Sequence, residues 1–144
     1  MKITLSRVDK NLPLPVYETQ GSVGFDLLCR TDVLVNAKSL GLIPANIIVQ
    51  TPPGYMLCVV SRSSTPRKKN LLIPHGIGVI DTDYCGFHDE IFIQVYNFSH
   101  EVVLVKRGEK IAQGIFVSVG KFDFQEEETM NPLDRGGFGS TDKK

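Results

Sequence analysis

Glu90-Ile91-Phe92-Ile93-Gln94-Val95-Tyr96-Asn97-Phe98 is rich in Val, Ile, Phe and Tyr, the side chains that suit extended backbone. Two further runs of this kind follow at residues 102–106 and 110–119, with Arg107-Gly108 as a turn signal between them. Toward the N-terminus the pattern repeats at residues 55–60, 43–49, 33–37 and 24–30. Near the start, Ile3 and Leu5 alternate with Lys2, Thr4 and Ser6, as a half-buried strand requires. Gln20-Gly21, Pro52-Pro53-Gly54 and Cys85-Gly86 punctuate the runs. Many short strands with frequent turn signals predict an all-β sandwich, jelly roll or barrel.

One segment departs from this. Ser63-Ser64-Thr65-Pro66-Arg67-Lys68-Lys69 has capping residues and then Pro near a first helical position, so it reads as a single short helix. From Gln125 the chain turns polar and then Gly-rich, with Gly136, Gly137 and Gly139. The expected organisation is therefore one β core over residues 1–124 and a C-terminal arm over 125–144.

The 144 residues fit one domain with a real core. A formal net charge of zero argues against a general nucleic-acid binder, which carries a basic excess on one face. No apolar run is long enough to span a bilayer and the first ten residues are no secretory signal, so no membrane partner and a cytoplasmic location are expected. The three cysteines and three histidines show neither a disulfide framework nor zinc spacing.

Three constellations can carry chemistry, and each also has an ordinary structural reading. Ser61-Arg62-Ser63-Ser64 sets two hydroxyls and a guanidinium where a strand meets a helix, which suits phosphate; it is also a plain serine cap. Residues 78–86 hold Asp81, Asp83 and Tyr84 on an expected hairpin, where a carboxylate can activate water; Asp also serves turns. Arg135 to Thr141 combines glycines with Phe138, which can stack on a base; alone it reads as a disordered tail. No GxSxG or P-loop occurs, so water attacking a phosphate fits better than covalent catalysis.

Taken together and in order, five segments resemble the motifs of the dUTPase family. They are Gly24-Phe25-Asp26-Leu27; Arg62-Ser63-Ser64 with Lys68; Gly78 to Gly86 with Asp81 and Tyr84; Arg107 to Gln113; and Gly136-Gly137-Phe138-Gly139-Ser140-Thr141. The resemblance implies a distorted jelly-roll or β-barrel-like subunit in a homotrimer, with sites shared between subunits and the arm exchanged over a neighbour. It implies hydrolysis of dUTP to dUMP and pyrophosphate with Mg2+, which limits uracil incorporation into DNA and supplies dUMP for thymidylate synthesis.

By the same resemblance, Asp81 would activate the attacking water and Tyr84 would pack under the deoxyribose and exclude a 2′-hydroxyl. Backbone around Gly76 and Ile80 would read uracil. Asp26 would hold waters of a magnesium ion bound mainly by the triphosphate. Arg62, Ser63, Ser64 and Gln113 would contact phosphates, and Lys68 would add charge. Phe138 would stack on uracil, with Arg135, Gly139, Ser140 and Thr141 near the γ-phosphate. The chain departs from the family pattern in having Leu133 where an Arg is usual, in a longer stretch over 85–90, and in Asp142 where Gly is usual.

Two other readings compete. The related dCTP deaminases share the fold and an Arg-Ser-Ser motif, but the position of their catalytic Glu corresponds to Gln94, whose amide cannot relay a proton. A non-catalytic nucleotide-binding jelly roll is the other, and the presence of Asp81 and Phe138 argues against it.

Overall fold

The structure, a computed structural model, describes residues 2–130, 133, 134 and 136. Among these, eleven strands and one short helix follow the order β1 (Thr4–Arg7), β2 (Phe25–Leu28), β3 (Val33–Val35), β4 (Leu40–Pro44), β5 (Ile47–Gln50), β6 (Tyr55–Ser61), α1 (Thr65–Lys69), β7 (Leu71–Leu72), β8 (Gly78–Ile80), β9 (Phe92–Asn97), β10 (Val103–Val105) and β11 (Lys110–Ser118). Every pairing is antiparallel. The strands form one four-stranded sheet, β2-β11-β6-β8, one three-stranded sheet, β4-β9-β7, and the pairs β1-β5 and β3-β10. This is the all-β, jelly-roll-type subunit expected.

Alternation explains most of the burial. In β9, Ile93, Val95 and Asn97 point inward while Phe92 faces out, and in β2 Phe25 and Leu27 are buried while Asp26 and Leu28 are not. Residues 57–59 of β6 are buried consecutively: Leu57 and Val59 enter the core, and Cys58 between them lies on the other face of the sheet. Phe25, Leu27, Leu57, Val59, Ile93 and Val95 join Val35, Ile43, Ile47, Val49, Leu71, Ile91, Val105 and Ile111 in one core. Gly114 belongs to this packing: a Cβ there would lie 2.5 Å from Phe25 Cζ, so only glycine lets β11 pass under the Phe25 ring. The buried Asn97 amide is satisfied, donating to the Val35 and Glu101 carbonyls at 3.0 and 2.7 Å.

The run at 43–49 is two strands, not one. Asn46 is left-handed (φ 68°) and turns the chain from β4, which pairs with β9, into β5, which pairs with β1. Asn is among the few residues other than Gly that enter this conformation, and its amide is held by another segment. Here Asn46 Nδ2 donates to the Asp9 carbonyl (3.1 Å) and Oδ1 accepts the Asp9 N–H (2.6 Å).

The expected hairpin over 78–86 is also different. Gly78–Ile80 pair with β6, and residues 81–89 make local turns. The Asp89 carboxylate closes one by accepting the Gly86 N–H at 2.6 Å, and the backbone closes another, where the Tyr84 N–H reaches the Asp81 main-chain carbonyl at 3.4 Å. The last strand ends at Ser118, and residues 117–130 are exposed, with Phe122 and Phe124 at 82% and 101%.

Candidate active site

A cleft of about 260 Å³ opens where β2, β11 and the end of β6 meet α1, and Glu18, Gly24, Asp26, Arg62, Ser63, Ser64 and Gln113 border it. Strand register explains the gathering. Gln113 on β11 lies directly opposite Asp26 on β2, and Lys110 lies opposite Leu28. Three steps along the chain separate Lys110 from Gln113, which would normally put them on opposite faces. A β-bulge between Lys110 and Ala112 inserts Ile111 as an extra residue and returns both to the face of Asp26. Gly24 keeps the space open, since a Cβ there would sit 2.7 Å from Gln113 Oε1. The Gln113 amide is aimed by its own donation to the Ser61 carbonyl at 3.2 Å.

Charges in the cleft are paired. Asp26 binds Arg62 Nε through one oxygen and Lys110 Nζ through the other, each at 2.8 Å. Lys110 also pairs with Glu18, and Asp26 first, then Glu18, hold its ammonium above the usual lysine pKa. Arg62 keeps a contact from Nη1 to the Lys110 carbonyl at 3.3 Å. Two cations and two carboxylates leave the empty-handed cleft close to neutral, and an incoming anion competes with Asp26 for Arg62.

The Arg62-Ser63-Ser64 segment leads into the five-residue α1, with Pro66 in its first turn and Asn70, in the left-handed conformation, closing it. Ser64 occupies the cap position but makes no side-chain capping bond. The helix is anchored by Thr65 instead, whose buried hydroxyl donates to the Ile111 carbonyl at 2.8 Å. Both serine side chains are therefore left for the cleft they border. Lys68 is exposed on α1 and is not among the cleft residues.

The second group lies elsewhere. Asp81 is exposed just beyond β8, Tyr84 is 39% exposed three residues on, Ile80 packs partly on the core, and Gly76 turns the chain at φ 78°. Ile77 and Val79 expose apolar surface beside them, at 46% and 52%. The Tyr84 hydroxyl donates to the Glu90 carbonyl at 3.1 Å. Ile80 pairs with Leu57, whereas Arg62 follows the far end of β6. Five residues of strand separate those levels, roughly 16 Å at about 3.3 Å per residue. Within one chain the structure thus brings Asp26, Arg62, Ser63, Ser64 and Gln113 together and leaves Gly76, Ile80, Asp81 and Tyr84 apart from them.

The family model for dUTPase matches residues 10–142. The chain belongs to the dUTPase family. Among curated dUTPases, the deoxyuridine 5'-triphosphate nucleotidohydrolase of Dictyoglomus turgidum (strain DSM 6724 / Z-1310) is 36% identical over 147 residues, covering 98% of each chain. That of Finegoldia magna (strain ATCC 29328 / DSM 20472 / WAL 2508) is 37% identical, covering 98% of this chain and 99% of its own. The crystal structure of dUTPase from Streptococcus mutans superposes with a TM-score of 0.77 at 31% identity, covering 83% of this chain and 98% of that one.

Glu18 borders the cleft and Lys110 is ion-paired to Asp26 and Glu18 beside it; the sequence did not single out either, because a lysine and a glutamate in a turn-rich chain look like solvated charges. Gln94, which the resemblance sets against the catalytic Glu of deaminases, lies on β9 opposite Leu42, in the sheet that does not carry the cleft. Arg135, Phe138, Gly139, Ser140 and Thr141 lie outside the described residues. No group of three or more His, Cys, Asp or Glu able to hold a metal occurs among the described residues.

Proposed function

We propose that this dUTPase-family chain hydrolyses dUTP to dUMP and pyrophosphate, with each site assembled from more than one copy. The observation that carries the reading is the division of the site: a cleft with phosphate-binding chemistry and a separate carboxylate-and-tyrosine loop, both retained in one dUTPase fold. Asp81 cannot reach a water attacking an α-phosphate held near Arg62 of its own chain, but the same loop of a second copy can. A closed homotrimer of about 48 kDa, three times the 16.0 kDa chain, gives three equivalent sites of this kind.

In this mechanism Arg62, Ser63, Ser64 and Gln113 bind the phosphates and hold the α-phosphorus for in-line attack. Asp81 of another copy accepts the proton of the attacking water. The new P–O bond forms as the bond to the bridging α–β oxygen breaks, and pyrophosphate leaves with that electron pair. Tyr84 packs under the sugar and leaves no room for a 2′-hydroxyl, while backbone near Gly76 and Ile80 reads the uracil edge. The arm carrying Phe138, with Arg135, Gly139, Ser140 and Thr141, closes over base and γ-phosphate and excludes water.

The donor set fits Mg2+ only as an ion carried by the triphosphate, since Asp26 is the sole carboxylate among the expected cleft residues and Glu18 its nearest companion; Asp26 would then bind the ion through water. Bound there, Mg2+ would neutralise phosphate charge. The reading implies a soluble enzyme of the cytoplasm, and no helix among the described residues is long and apolar enough to cross a membrane.

The test is product identification with each dNTP and with UTP, with and without Mg2+. Pyrophosphate and dUMP from dUTP alone support the reading. Ammonia from dCTP would overturn it in favour of deamination, and no product from any substrate would favour a binding module. Light scattering should give the trimer mass at micromolar concentration; a monomer there overturns the shared site.

A further inference from the structure

Tyr84 stands on an exposed loop, yet its ring is tethered through its hydroxyl to the Glu90 carbonyl. That carbonyl is itself held with unusual thoroughness for a loop. Glu90 is 6% exposed and both its carboxylate oxygens are bound: Oε1 accepts from Arg30 Nε and from the Asn46 N–H, each at 2.8 Å, and Oε2 accepts from Arg30 Nη2 at 2.9 Å. On the other side of the peptide, the Ile91 N–H donates to Ile47 O (3.0 Å) and the Ile91 carbonyl accepts from Ala45 (2.8 Å). Arg30 is fixed in turn by its own N–H to Pro44 O at 2.8 Å. The left-handed corner at Asn46, the Arg30–Glu90 fork and the Tyr84 ring therefore form one connected chain of hydrogen bonds.

An ion pair with one buried partner, as here with Glu90, is a poor device for stability alone, because taking the carboxylate out of water offsets much of the attraction. What the fork supplies is a fixed direction for one peptide. We propose that Arg30 and Glu90 are a positioning pair for Tyr84: by fixing the Glu90 carbonyl they hold the phenol ring in the one orientation that excludes a ribose 2′-hydroxyl. The inference rests on the proposed role of Tyr84 beneath the sugar. Untethered, the ring can swing on its χ1 axis and open space for the extra oxygen, so selectivity falls while hydrolysis of dUTP persists. One lost hydrogen bond of ordinary strength corresponds to a change of up to about tenfold in that selectivity.

The readout is the ratio of kcat/KM for UTP to that for dUTP, measured on one preparation, so that a lower folded fraction cancels. Tyr84→Phe, which keeps the ring and deletes the tether, should raise the ratio about three- to tenfold. Glu90→Gln and Arg30→Lys should raise it similarly, and Glu90→Gln placed on Tyr84→Phe should add nothing. A purely structural role for the pair would not produce this lack of additivity. An unchanged ratio in Tyr84→Phe overturns the tether, as does a further rise in the double variant. Tyr84→Ala separates the two levels of the argument. If Tyr84→Ala raises the ratio and Tyr84→Phe does not, the ring excludes ribose without the tether; if Tyr84→Ala leaves the ratio unchanged, the sugar-gate reading itself fails. Should Glu90→Gln not fold, the Tyr84→Phe comparison still decides.

Discussion

If a site takes its water-activating carboxylate from one copy and its phosphate cleft from another, two dead proteins should make a live one. Asp81→Asn keeps the shape of the loop and removes the proton acceptor, which should lower turnover by two orders of magnitude or more. Arg62→Ala removes a phosphate contact at the other locus, and Asp26 stays paired because Lys110 remains on its second oxygen. Each variant alone should be nearly inactive. Unfolded together in urea and refolded as a mixture, they should assemble at random. A site is intact only when its Asp81 comes from the Arg62→Ala chain and its Arg62 from the Asp81→Asn chain. At equal amounts each condition holds for half the sites, so about a quarter of wild-type activity should return in a closed ring of identical interfaces. For a mole fraction x of one variant the activity should follow x(1 − x), a parabola with its peak at equal mixing. Pyrophosphate release from dUTP, normalised to wild type carried through the same refolding, measures it. A mixture no more active than its components at every ratio would show that one chain builds the whole site, and the roughly 16 Å separation along β6 would then have to be bridged within a protomer.

Other consequences are more local. Gly24→Ala sets a methyl 2.7 Å from Gln113 Oε1, so the amide must rotate and give up the Ser61 carbonyl; kcat/KM for dUTP should fall about tenfold at a stability cost of about 1 kcal/mol, and steady-state kinetics that match wild type would remove Gln113 from the site. Removing residues 134–144 should leave the melting temperature and assembly nearly unchanged but, if the arm closes as proposed and so favours the transition state over the ground state, lower turnover by orders of magnitude; turnover within a few-fold of wild type would make the tail inert. Burial pushes the Cys29 thiol from 9.0 up to about 11. Between those values the unfolded chain loses the proton and the folded chain keeps it, so stability falls as pH rises through that window. The stability difference between wild type and Cys29→Ala in denaturant titrations should shrink by about 2–3 kcal/mol from pH 8 to 11, and a flat difference would contradict it.

Much of this was legible in the chain. The run at 90–98 reads as a strand because its Ile and Val side chains enter the core, and the motifs at 24–27, 62–64 and 107–113 do converge. What was not legible has physical causes. Asn46 offers a left-handed corner without a glycine, so residues 43–49 look continuous. Ser64 looks like the capping side chain, but the bond that anchors α1 comes from Thr65 to a carbonyl 46 residues away, which no local pattern encodes. Residues 78–86 read as a hairpin, yet beyond Ile80 the Asp89 carboxylate and the Asp81 main-chain carbonyl close local turns instead. That Asp81 and Arg62 lie at opposite ends of β6 depends on the direction of one antiparallel pairing, β6 with β8, and order along the sequence says nothing about it.

The extra residue in β11 has a consequence for how relatives of this protein are compared. Ile111 is an ordinary aliphatic side chain, and many replacements would preserve its place in the core. Its absence would be another matter. Deleting it leaves two steps between Lys110 and Gln113, so in a regular strand both still face Asp26 and the ion pairs of the cleft survive. What goes is a buried core side chain together with the carbonyl that takes the Thr65 hydroxyl, so the helix after Arg62-Ser63-Ser64 loses its tie to β11. At this point in the fold a gap in an alignment therefore weighs more than a mismatch, because a substitution at Ile111 leaves that carbonyl in place and a deletion does not.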